Sequence, residues 1–75
     1  MNTPYNEPLV TVSQAVDRFV NIYDPAPGDL VAIKRAFTDF SVGVYHKREK
    51  HWLRSCHSYL EKVLRSKWRN REKGS

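Results

Sequence analysis

The segment that decides the fold lies at residues 45–69 and reads YHKREKHWLRSCHSYLEKVLRSKWR. Drawn as a helix at about 100° per residue, it separates two kinds of side chain onto opposite sides. One side is apolar and consists of Tyr45, Trp52, Leu53, Cys56, Tyr59, Leu60, Val63 and Leu64. The other is mostly basic and consists of Lys47, His51, Arg54, Ser58, Lys62, Arg65 and Arg69. The segment therefore predicts a long helix that packs along one side and presents positive charge along the other.

A shorter amphipathic helix is predicted upstream, over residues 12–23. Apolar residues recur there at the three-residue and four-residue spacing that places them on one side of a helix. Thr11 and Gln14 have the spacing of a capping box, in which two side chains satisfy free amide groups at a helix start. Asp24 precedes Pro25, and the residue before a proline is disfavoured in a helix, so the helix should end before it.

A second helix is predicted over residues 29–42, after a turn-forming stretch rich in proline. Its core-facing side consists of Leu30, Ile33, Ala36, Phe37, Phe40 and Val44. This apolar side is offset by about 130° from that of the 45–69 segment when both are drawn as one helix. A break is therefore predicted near residues 41–45, with Gly43 as the natural breaking point.

Two alternatives remain open for this region of the chain. A helix that ran straight through it would need two different neighbours for its two apolar sides, which would favour an intertwined dimer. The alternation of Phe40, Val42 and Val44 with smaller residues also fits a short strand, although a lone strand would have nothing to pair with.

Together these segments predict one small all-α domain of three helices, a helical hairpin followed by the long basic helix. The domain should span residues 11–70, with 1–10 as a flexible N-terminal arm and 71–75 as a frayed basic tail. A chain of 75 residues buries only a thin core, and its single cysteine, Cys56, excludes an intrachain disulfide. Because small domains commonly gain stability from a partner subunit, a homodimer is expected.

Charge is distributed unevenly between the two halves of the chain. Residues 1–33 contain one basic and four acidic side chains, whereas residues 34–75 contain twelve basic and four acidic ones. Such asymmetry indicates contact with a polyanion such as nucleic acid. No apolar run resembles a signal peptide or a membrane span, so a cytoplasmic location is expected, or a nuclear one in a eukaryotic setting.

Catalytic and metal-binding patterns are not found. His46, His51, Cys56 and His57 are separated by five, five and one residues, whereas helical ligand pairs need a spacing of three or four. The chain has no glycine-rich phosphate loop and no pair of carboxylates at a spacing that suggests acid and base work. The sequence therefore predicts that the protein is not an enzyme and needs no cofactor.

The predicted function is binding of duplex DNA or RNA through backbone phosphates, largely without sequence preference. The candidate contacts are the basic residues of the long helix, namely Lys47, Lys50, Arg54, Lys62, Arg65 and Arg69. Lys34 and Arg35 on the second helix are further candidates whose position depends on packing. Trp68 lies between the apolar and basic sides and is predicted to contact a partner or a second subunit.

Three other interpretations stand beside this one. A small basic regulator or inhibitor, of the kind encoded by phages, viruses and mobile elements, could dock on an acidic protein surface. A cationic helix with tryptophans could lie on a membrane surface, although its apolar side should already be occupied by the other helices. Finally, the basic side could simply keep the helix soluble.

Overall fold

Three helices make up the part of the chain described by the computed structural model, which covers residues 10–74 and the side chains through Arg71. They are α1 (Val12–Tyr23), α2 (Leu30–Tyr45) and α3 (Lys50–Gly74). No strand occurs in this part, so the all-helical prediction is confirmed and the strand alternative is wrong. None of the described helices is long and apolar enough to cross a membrane. The predicted arm, residues 1–10, lies outside the described residues except for Val10, which packs against the core.

The start of α1 is fixed by the predicted capping box. The Gln14 backbone N–H donates to the Thr11 hydroxyl oxygen at 3.1 Å, and the Thr11 N–H donates to Gln14 Oε1 at 3.0 Å. At the other end, Asp24 adopts a left-handed conformation with φ of 42°, and its N–H donates to the Val20 carbonyl at 2.7 Å. Two amide groups at the start and one carbonyl at the end are thereby satisfied within a few residues of sequence.

The break between the second and third helices lies at residues 46–49, so the prediction of a break at Gly43 is wrong. Gly43 is an interior residue of α2, and the helix ends where His46 turns left-handed with φ of 55°. The buried Ser41 fixes this end, because its hydroxyl donates to the Lys47 carbonyl at 3.1 Å. Hydrogen bonding by Ser41, rather than the freedom of a glycine, therefore sets the boundary, and Tyr45 belongs to α2.

A mainly aromatic and aliphatic core joins the three helices. Its buried members are Ala15, Val16, Phe19, Val20, Phe37, Phe40, Cys56, Leu60 and Leu64. Phe37 lies at the centre with no exposed surface, and its ring meets that of Phe19 edge-on at 5.4 Å between centroids. Full burial of a side chain of this size contributes about 1.5–3 kcal/mol. The apolar side of α3 is thus packed against α1 and α2, which leaves its other side facing outward.

The C-terminal part of α3 forms hydrogen bonds with the segment that connects α1 and α2. The Trp68 indole N–H donates to the Pro25 carbonyl at 2.9 Å, and Asp24 accepts from Arg71 at 3.0 Å. The Arg71 hydrogen bond is the main cause that lowers the pKa of the Asp24 carboxyl. Helix α3 extends through Gly74 into the predicted tail, residues 71–75, whose fraying stays a prediction, and Ser75 lies outside the described residues. Trp68 is half-buried and packs against the core of its own chain, and its predicted contact with a partner stays a prediction.

Replacing Gly43 with alanine is expected to stabilise the fold. A Cβ built on Gly43 meets nothing within 4 Å, and its φ is not positive, so alanine fits the helix without strain. Glycine costs about 0.5–1 kcal/mol relative to alanine inside a helix. Thermal melts should show a rise of a few degrees, about 4–8 °C per kcal/mol for a domain of this size. A lower melting temperature for Gly43→Ala would contradict the continuous helix and restore the break at this residue.

Candidate nucleic-acid interface

The outward side of α3 carries exposed basic side chains along most of the helix. Five of the six residues predicted to bind nucleic acid lie on this helix and are exposed, and we call them the basic face: Lys50, Arg54, Lys62, Arg65 and Arg69. Nineteen residues separate the first from the last, which corresponds to about 28 Å at the rise of an α-helix. Because α3 packs on the core through its opposite side, the core does not cover the basic face.

Lys47, the sixth predicted residue, is not part of this face. It lies in the connection between α2 and α3, where its ammonium group pairs with Glu49 at 3.2 Å. The same nitrogen lies 5.2 Å from the centroid of the Trp52 ring, a cation–π distance. Sequence reasoning placed Lys47 on the helix because it extended that helix five residues too far towards the N-terminus. Its charge is engaged within the chain.

Members of the basic face differ in whether a carboxylate neutralises them. Arg65 pairs with Glu61 at 2.8 Å, one turn earlier on the same helix. For Lys50, Arg54, Lys62 and Arg69, no ion pair is formed with any residue that the structure describes. Within the described part of the chain, four of the five cations are therefore exposed and free of a carboxylate partner.

Between the cations, the outward side of α3 carries small hydroxyl residues. Ser55, Ser58 and Ser66 are exposed on this helix. A serine hydroxyl can donate to a phosphate oxygen, and its small size allows a bulky partner to approach the helix closely. This side of α3 thus combines charged donors and neutral donors, with Glu61 as a half-buried carboxylate at its margin.

A cleft lies where the N-terminal half of α3 meets α2. Lys34 of α2 lines it together with Lys50, Arg54 and Ser58 of α3. Lys34 donates to Glu61 Oε1 at 2.7 Å, and this hydrogen bond is the main cause that lowers the pKa of the Glu61 carboxyl. The sequence predicted both Lys34 and Arg35 as further candidate contacts for nucleic acid. Packing separates them, because Lys34 faces α3 and Arg35 is exposed outside the cleft.

His57 lies beneath this cleft and bonds to α2. Its Nε2 is 2.9 Å from the Thr38 hydroxyl, which also donates to the Lys34 carbonyl at 3.1 Å. A hydroxyl has one hydrogen, so this arrangement makes Thr38 the acceptor of the His57 N–H. Burial, together with the positive charge of Lys34, lowers the pKa of His57 from 6.5. The imidazole is therefore neutral at pH 7.

The nucleophilic and metal-ligating residue types do not converge. Cys56 is buried in the core, and burial raises the pKa of its thiol to about 11, so the thiol is protonated at neutral pH. Among the described residues, no three histidine, cysteine, aspartate or glutamate side chains are grouped so that they could hold a metal ion.

The depressed pKa of His57 predicts a dependence of stability on pH. The unfolded chain takes up the histidine proton near pH 6.5, whereas the folded chain resists it to a lower pH. The stability that His57 contributes is therefore fully present above about pH 6.5 and declines as the pH falls below that value. Thermal melts across this range should show the decline, and a His57→Gln variant should show a flatter profile. The carboxylates with lowered pKa, Asp24 and Glu61, lose their contribution only in more acidic solution.

Comparison of the chain with models of protein families, with curated protein sequences and with solved structures found no match. Function is therefore inferred from the chemistry and placement of the side chains. The feature that stands out is helix α3, which packs on the core along one side and whose other side carries exposed cations that have no carboxylate partner among the described residues.

Proposed function

We propose that the protein binds duplex nucleic acid by laying the basic face of α3 along the phosphate backbone. The observation that carries this proposal is a set of four exposed cations on one helix that form no ion pair with any described carboxylate, namely Lys50, Arg54, Lys62 and Arg69. A cation already paired with a carboxylate must break that pair before it contacts a phosphate. An unpaired cation gives up only water and solution counterions when it contacts a phosphate. Release of the counterions condensed on the duplex then favours binding.

The dimensions of the basic face suit a duplex backbone. Its length of about 28 Å corresponds to about eight base pairs along the axis of B-form DNA. Steps of four residues along a helix, as from Lys50 to Arg54, are about 6 Å. Within the described part of the outward side, Asn70 is the one exposed amide suited to reading base edges. Contacts are therefore expected mainly with phosphates, which bind without discriminating sequence.

Duplex DNA and duplex RNA are both within this proposal. A-form RNA is recognised largely by shape and through its backbone, and the basic face makes no distinction of base chemistry. The proposed role is that of a small binding or regulatory protein rather than an enzyme.

A titration over a series of salt concentrations tests the proposal. Four phosphate contacts predict that log affinity for B-form DNA falls with log salt with a slope of about −3.6, and participation of Arg65 would bring it to about −4.5. Labelled DNA duplexes of unrelated sequence should give the same slope, with duplex RNA and a single strand measured alongside. No duplex binding at low salt would overturn the proposal. If an acidic protein surface displaced the duplex far more effectively than its charge predicts, the competing function of a protein-binding regulator would be favoured.

The expected homodimer is part of this proposal, and one surface feature supports it. Phe19, Tyr23, Phe40 and Val44 line a mostly apolar groove between α1 and α2, with Asp39 as its charged lining residue, on a surface that the basic face does not use. Tyr23 is 57% exposed and Val44 49% exposed, although both are large and apolar. A second copy docked there would leave both basic faces free. Sedimentation equilibrium measures this directly, and a Val44→Asp variant should remain monomeric.

A further inference from the structure

The cleft between α2 and α3 gathers positive charge from two helices at one place. Its polar lining is formed by Lys34, Lys50, Arg54, His57, Ser58 and Glu61, around a volume of about 650 Å³. Three of these side chains are cationic and one is anionic, and His57 is neutral at pH 7. The cleft therefore carries a net positive charge in a concave site, unlike the rest of the basic face, which lies on the convex surface of one helix.

Glu61 forms ion pairs with two cations at the edge of this cleft. One of its oxygens accepts from Lys34 at 2.7 Å, and the other pairs with Arg65 at 2.8 Å. Lys50 and Arg54 form no ion pair with any described residue although they line the same cleft. The lining therefore carries two more positive charges than negative ones, and the two unpaired cations, Lys50 and Arg54, also belong to the basic face.

We propose that this cleft is a phosphate-binding site in which the phosphate is held by Lys50, Arg54 and the Ser58 hydroxyl and competes with Glu61 for Lys34. This inference rests on the proposed function, under which the ligand is one phosphate of the bound duplex backbone. A tetrahedral phosphate offers several acceptor oxygens. It can therefore accept hydrogen bonds from ammonium and guanidinium groups on both helices at the same time.

Such a site would give the complex a fixed register. Contacts from the convex basic face alone allow a backbone to slide along α3, because successive phosphates are equivalent. A phosphate seated between two helices is fixed in position relative to the core, and phosphate contacts of this kind orient a protein on its duplex. Glu61 sets the strength of this contact, since it competes with the phosphate for the same cation.

The test uses inorganic pyrophosphate as the probe and the full chain labelled with nitrogen-15. Titration should shift the amide signals of Lys34, Arg54 and Ser58 more than those elsewhere in the chain. Glu61→Gln should bind pyrophosphate about threefold more tightly, and Lys34→Gln about fivefold more weakly, as expected for charges at a partly exposed site. Arg35→Gln is the matched control, because Arg35 neighbours Lys34 in sequence and is exposed outside the cleft. It should bind pyrophosphate like the wild type.

The outcomes separate this inference from the proposed function. Shifts spread evenly over all basic residues, or equal weakening by Lys34→Gln and Arg35→Gln, would overturn the phosphate site even if duplex binding were observed. Pyrophosphate binding in the cleft without any duplex binding would support the site and overturn the proposed function. The circular dichroism spectrum of each variant is first compared with that of the wild type. Because Glu61→Gln is expected to gain affinity for pyrophosphate, misfolding cannot explain its result.

Discussion

Under the proposed function, reversing the charges of Arg54 and Lys62 together is expected to lower the affinity for duplex nucleic acid by about a hundredfold. Both side chains are exposed, and neither forms an ion pair with a described residue, so their replacement by glutamate breaks no ion pair in the described part of the chain. Each change is expected to remove one proposed phosphate contact and to add one repulsion. A tenfold loss per position corresponds to about 1.4 kcal/mol, and the two positions lie about 12 Å apart, far enough for their effects to add.

The control variant changes the net charge of the protein by the same amount, but on a different surface. Arg18 of α1 and Arg35 of α2 are exposed and form no ion pair with any residue in the described part of the chain. An Arg18→Glu, Arg35→Glu variant should lose only about threefold in affinity, through the weaker overall field of the protein. Similar losses in the two double variants would mean that net charge alone attracts the duplex, and that α3 has no special role.

Replacing Phe37 with alanine lowers the free energy of unfolding by about 3–5 kcal/mol. Phe37 has no exposed surface, and its ring contacts Phe19 of α1, Phe40 of its own helix and Trp52 of α3. The change therefore opens a cavity where all three helices meet. Chains of this length have a total stability of only about 4–11 kcal/mol, so this loss removes a large share of it and should move the urea midpoint far below that of the wild type.

Urea denaturation followed by far-ultraviolet circular dichroism measures this loss. Val31→Ala is the control, because Val31 is a hydrophobic residue of the same helix that is 65% exposed. Its replacement should change stability by no more than about 0.5 kcal/mol. If Phe37→Ala and Val31→Ala unfolded at similar urea concentrations, the packing of α2 against the other two helices would be wrong.

Features set by neighbouring residues could be predicted from the sequence. The capping box of Thr11 and Gln14 is a pattern of two side chains three residues apart, and the structure contains both of its hydrogen bonds. Core positions of α3 such as Leu60 and Leu64 followed from helical periodicity, because burial of one side of a helix repeats every three to four residues. These are local properties, and local chemistry was sufficient to identify them.

The end of α2 could not be predicted in the same way. A break was predicted at Gly43 because glycine is flexible. A helix nevertheless tolerates a single glycine when the surrounding packing favours the helix. The actual end depends on the Ser41 hydroxyl reaching the Lys47 carbonyl across a turn that no propensity describes. One consequence of the misplaced break was that Lys47 was assigned to the basic face.

Contacts between distant parts of the chain were also beyond the sequence. Lys34 and Glu61 are 27 residues apart, and only the packing of α2 against α3 brings them within 2.7 Å. Trp68 and Pro25 are 43 residues apart, so the hydrogen bond between them could not be read from either neighbourhood. The cleft, and the neutralisation of Arg65 by Glu61, are therefore features that the structure adds to the predicted basic face.

The most direct test of the central proposal is a nuclear magnetic resonance titration of the nitrogen-15-labelled chain with a duplex of about 12 base pairs, slightly longer than α3. Binding through the basic face predicts that the largest shifts occur at Arg54, Ser58, Lys62 and Arg69 and disappear at high salt. Shifts confined to the apolar groove between α1 and α2, or no shifts at low salt, would contradict it.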